Sequence, residues 1–116
     1  MEPVTTIEHL GDAYVVTLRG EIDAFDAPTL RLDLRRLIED EGASTLIVDL
    51  AAVTFLDSSA LGALVGALRR LRECDGRLRI VQPRAVAAAR IFELTGLDTV
   101  LELYPERDAA LNAESG

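Results

Sequence analysis

Two runs rich in β-forming residues, Val4 to Leu10 and Ala13 to Arg19, open the chain, and Gly11-Asp12 between them predicts a tight hairpin turn. In the second run Tyr14, Val16 and Leu18 interleave with Val15 and Thr17, so both faces are largely apolar, as expected of a strand inside a sheet. A loop from Gly20 to Asp26 follows, and Asp26 is placed to cap a helix with Pro28 in its first turn, where a missing N–H costs little. Leu30, Leu34, Leu37 and Ile38 recur at helical spacing up to Gly42.

The short apolar run Thr45 to Leu50 predicts a buried strand, and Ala51 to Leu56 reads as a loop. Asp57-Ser58-Ser59 then forms a strong cap cluster for a second helix, with Leu61, Leu64, Val65, Leu68 and Leu71 on its inner stripe and Gly76 as its stop. Leu78 to Val81 reads as a strand closed by Pro83, Val86 to Leu94 as a helix ending at Gly96, Val100 to Leu103 as a short edge strand, and Glu106 to Asn112 as a last helix. Repeated strand–helix–strand units imply right-handed crossovers. The fold class is α/β, a mixed, mostly parallel sheet with packed helices and an N-terminal hairpin at its edge.

A length of 116 residues fits one domain, 1–116, with its core at about 4–112. Apolar residues make up 49% of the chain, enough for a globular core. No apolar stretch approaches the roughly 20 residues that span a bilayer, and no basic-then-apolar leader opens the chain, so the expected location is the cytoplasm, away from membranes. The formal net charge of −8 repels phosphate backbones, which argues against nucleic acid and for a protein partner with basic character. Cys74 is the only cysteine and is expected to be half-buried near a helix end, so neither an internal disulfide nor a cysteine metal cluster can form. Every basic residue is an arginine.

The richest chemistry lies between Val48 and Leu64. A helix N-terminus carries free N–H groups and the positive end of a dipole, so a serine there fits a cap, a nucleophile or a phosphorylation site. With the leucine stripe inward, Ser59, Gly62, Ala63, Gly66 and Arg70 are expected to face outward. Two helical glycines cost about 1 kcal/mol each against alanine. Their small face suits either a partner's close approach or packing against the chain's own loops. In the acidic loop, Glu21, Asp23 and Asp26 read as a solvated turn. No histidine joins them at metal-ligand spacing, so no metal or other cofactor is expected.

Phe55-Leu56-Asp57-Ser58-Ser59-Ala60-Leu61-Gly62 resembles the phosphorylation-site signature of bacterial anti-sigma factor antagonists, which have the STAS fold. Val48-Asp49-Leu50, Gly20-Glu21-Ile22-Asp23 and Ala27 to Leu30 are similar to other segments of that family, and the likeness runs from about residue 4 to 110. The resemblance implies a module whose serine after the aspartate, Ser58, is phosphorylated by an anti-sigma factor that is itself a serine kinase. Unphosphorylated, it would bind that kinase and free a sigma factor, and a serine phosphatase would reset it. Asp23, Asp57, Ser59, Gly62, Ala63 and Gly66 would then line the partner-binding surface. One departure is Ala60, where the signature more often has glycine. An unphosphorylated STAS adaptor, in a stress-signalling complex or a transport accessory, would share the fold.

A small serine hydrolase built on Ser58 is the rival from another class. It needs a general base, and the only histidine, His9, falls on the first strand; there is no G-x-S-x-G elbow and no phosphate-cradling glycine loop. A binding module, not an enzyme, is expected.

Overall fold

The computed structural model describes residues 4–113; residues 1–3 and 114–116 of the expected 1–116 domain lie outside the described residues. Strands β1 (Val4–Leu10) and β2 (Ala13–Ile22) form the antiparallel hairpin, turning at Gly11, whose φ of +61° favours a residue without a Cβ. Then follow α1 (Ala27–Glu39), β3 (Thr45–Leu56), α2 (Ser58–Glu73), β4 (Arg77–Val81), α3 (Val86–Leu94), a 3₁₀ turn at Leu97–Thr99, β5 (Glu102–Tyr104) and α4 (Arg107–Leu111). The sheet order is β1-β2-β3-β4-β5, with every pair after the first parallel. The expected α/β class and the mixed sheet with an antiparallel edge are what the structure shows.

Alternation along the strands divides the core. Val16, Leu18, Leu46, Val48 and Ile80 face α1, α2 and Phe92 of α3, whereas Val15, Ile47 and Val81 face Ala110 and Leu111 of α4. On the α4 side the packing is partly polar. Arg107 reaches across three strands, its Nε donating to Asp49 Oδ2 (3.0 Å), Nη1 to Glu8 Oε1 (3.1 Å) and Nη2 to Thr17 Oγ1. Asp49 Oδ1 also accepts the Ala51 N–H at 2.9 Å. The hydrogen bond to Asp49 raises the Arg107 pKa above its ordinary value, so the guanidinium stays charged at any working pH. Buried Arg79 donates Nη1 to the Ala110 carbonyl (3.1 Å), in the last turn of α4, where helical carbonyls lack intrahelical partners.

Four expectations change. Gly20 to Ile22, expected to open the acidic loop, are the last residues of β2. Ala51 to Leu56 is not a loop but the second half of β3. It pairs with Arg19 to Ile22 through two register shifts, the extra residues lying on β3, and Gly20 sits between the shifts with a φ of +83°. The last strand is Glu102–Tyr104 instead of Val100 to Leu103, because the 3₁₀ turn takes up the preceding residues. Cys74, at the C-terminal cap of α2, is exposed and not half-buried.

Candidate functional site

The extra length of β2 and β3 builds one end of the molecule. Ile22 pairs with Leu56, and the Asp57 N–H donates to the Ile22 carbonyl at 2.9 Å, so the acidic loop and the start of α2 leave the sheet side by side. Asp57 has an extended backbone and its Oδ1 accepts the Ser59 N–H at 2.7 Å, a side-chain cap worth about 1 kcal/mol. Ser58 is the first residue of α2, exposed, and its hydroxyl makes no hydrogen bond among the described residues.

The loop is organised differently from expectation. Asp26 does not cap α1 with its side chain, because its own backbone is already helical (φ −83°, ψ −21°). Instead the Asp23 N–H donates to Asp26 Oδ2 (3.1 Å), and Asp23 Oδ1 accepts from the Phe25 and Asp26 N–H groups (3.0 and 3.2 Å). This reciprocal turn holds Asp23 exposed beside Asp57 and thrusts Phe25 into solvent at 90% exposure. Among the described residues no three His, Cys, Asp or Glu side chains gather in a way that could hold a metal ion.

The small face of α2 is shared between packing and surface. Ser59 is half-buried, Gly62 exposed and Gly66 half-buried, but Ala63, expected outward, is only 3% exposed. The reason is α1, which lies alongside α2 and leaves a groove of about 540 Å3 bordered by Pro28, Arg31, Leu32, Gly62, Gly66 and Arg70. Ala63 forms part of its floor. Val65, expected inward, is half-exposed, and Ala67 takes its place in the core. Glu39 bridges the helices, bonding Arg35 Nε (3.1 Å) on its own helix and Arg70 Nη1 (2.6 Å) on α2.

Residues 5–110 match the STAS domain family. The chain is 35% identical over 88 residues to the anti-sigma-B factor antagonist of Listeria monocytogenes, covering 76% of this chain and 75% of the relative. To the antagonist of that name from Bacillus subtilis it is 34% identical over 96 residues, 83% and 85% of the two chains. The chain belongs to the STAS-domain family of anti-sigma factor antagonists. The crystal structure of an anti-sigma factor antagonist from Mycobacterium paratuberculosis superimposes with a TM-score of 0.85 at 34% identity, over 95% of this chain and 92% of the other.

Within this STAS domain, the departure from the family signature at Ala60 lies on the buried side of α2: the residue is fully enclosed by the core, so its methyl group adds packing and leaves the surface around Ser58 unchanged. His9 stacks on Tyr14 (ring centroids 4.1 Å apart, planes at 5°) at the start of β2. Ser58 stands beyond the other end of that strand, about 26 Å away at 3.3 Å per residue. Sequence reading passed over Arg31 and Phe25. A lone aromatic within an acidic loop was the available signal for Phe25; none marked Arg31, whose place depends on how α1 lies along α2.

Because Asp57 already caps α2 and the Ser58 hydroxyl is unengaged, Ser58→Ala and Ser58→Glu are each expected to shift unfolding free energy by no more than about 1 kcal/mol. Urea melts of the two variants check this, and loss of a cooperative transition in either would make the serine structural.

Proposed function

We propose that this STAS domain is a phosphorylation-switched binding module: unphosphorylated, it binds an anti-sigma factor serine kinase and releases a sigma factor. The kinase transfers the γ-phosphoryl group of ATP to Ser58 Oγ, with ADP leaving and the hydroxyl proton passing to the kinase. A serine phosphatase reverses the change. The carrying observation is the placement of Ser58, exposed with a free hydroxyl on a turn whose capping is done by its neighbour. Modification there adds up to two negative charges without removing a structural hydrogen bond.

The partner surface combines Asp23, Asp57 and Ser59 at the sheet end with Gly62 and Gly66 along the groove, over a floor that includes Ala63. Phe25 adds an exposed aromatic of the kind that anchors interfaces. The family relatives named as anti-sigma-B factor antagonists support this reading. It is a cytoplasmic role without catalysis by this chain, without nucleic acid and without a membrane; no helix among the described residues is long and apolar enough to cross a bilayer.

Incubation with the cognate kinase and ATP, followed by peptide mass spectrometry, is expected to find one phosphate on Ser58 and none on Ser59. Label confined to Ser59, or none on either serine, refutes the switch.

A further inference from the structure

Gly62 lies four residues after Ser58 and so shares its face of α2, one turn further along. A Cβ built on Gly62 would stand 3.1 Å from Arg31 Nη2, and that same nitrogen makes a long contact, 3.4 Å, with the Ser59 carbonyl. The guanidinium therefore occupies the space a side chain at position 62 would fill, over the first turn of α2. Residues at this spacing are neighbours on the helix surface, about 5–6 Å apart. The exposed Arg31 side chain has one step to turn, from the Ser59 carbonyl towards the helix start, to meet a phosphoryl group on Ser58 Oγ. Among the described residues Arg31 pairs with no carboxylate, in a chain of net charge −8, whereas its neighbour Arg35 is held by Glu39.

We infer that Arg31 is a phosphate clamp: once Ser58 is phosphorylated, its guanidinium takes the phosphate in a forked, charge-assisted pair and draws it over Gly62 along the α1–α2 groove. The inference rests on Ser58 being the modified residue. Arg31 acts as a positioning residue, and the glycine at 62 is what gives it room. A planar guanidinium suits two phosphate oxygens at once, which an ammonium group does not. The clamp offsets the repulsion between the new phosphate and Asp57 and Asp23, so the modified chain stays folded while its groove is filled from within.

The test installs phosphoserine at position 58 during translation, with no kinase involved, and follows the phosphorus resonance as pH is varied. A neighbouring cation favours the dianion, so the second ionisation, ordinarily near pH 6, is expected about half a pH unit lower in the parent than in Arg31→Ala. Arg31→Lys should recover part of the difference, and Arg35→Ala should recover the parent value, since Asp57 and Asp23 act alike in all of them. Arg31→Gln serves if the alanine variant does not fold. Equal titration of the parent and Arg31→Ala, or Arg31→Gln in its place, or an equal displacement in Arg35→Ala, overturns the clamp. Kinase labelling of the unmodified protein answers separately: no label on Ser58 there refutes the switch, whatever the titration shows.

Discussion

Gly66→Arg is expected to weaken capture of the anti-sigma factor partner at least a hundredfold, a loss of about 3 kcal/mol, while the protein melts no lower than the parent. Gly66 lies two turns along α2 from Ser58 and is half-buried beside the groove. A Cβ there meets nothing within 4 Å, so the chain itself has room for the new side chain. The helix should gain slightly, since arginine is the better helix former by nearly 1 kcal/mol. A partner that packs closely over the small face must instead clear a long cationic side chain. Isothermal titration with the partner, set beside a thermal melt, reads both effects. Unchanged affinity would place the interface elsewhere, and a lower melting temperature would show that α1 needs this face more than a partner does.

Asp49→Ala is expected to cost about 2 kcal/mol of stability and lower the melting temperature by roughly 10 °C. The carboxylate is only 7% exposed and is the link between β3 and Arg107. Its removal leaves the arginine with Glu8 and Thr17 and the Ala51 N–H without its acceptor. Because the Arg107 side chain is about a third exposed, water recovers part of the loss, which keeps the cost below that of a fully buried pair. Asp49→Asn should lose less. Neither should alter partner affinity, because the cluster lies on the sheet face opposite the groove. A melt within about 2 °C of the parent would mean that apolar contacts of Ala110 and Leu111 hold α4 unaided.

The sequence carried the elements wherever one period ruled. Leu30, Leu34, Leu37 and Ile38 are all buried on α1, and the hairpin turns where Gly11-Asp12 said it would. It misled where the period broke. In the second half of β3 the buried residues are Val53 and Leu56, three apart, because the bulged register puts extra residues into one strand; that spacing does not look like a strand when read alone. The cap cluster Asp57-Ser58-Ser59 was legible because a cap is local, although the capping falls to Asp57 and not to a serine. The outward reading of Ala63 failed because helical spacing defines faces but does not say which of them a neighbouring helix covers. Arg107 with Asp49, 58 residues apart, and Arg31 with Ser59, 28 apart, left no local trace: each depends on the sheet order or on helix packing.

Cys74 ends α2 at the far pole from the serine, sixteen helical steps or about 24 Å along the axis from Ser58. It is the only thiol in the chain, and it is exposed. A maleimide dye therefore attaches at one defined point without any engineered substitution. That distance suits energy transfer to an acceptor carried by a partner seated at the other pole, so association and release can be timed in real time on the otherwise unaltered protein.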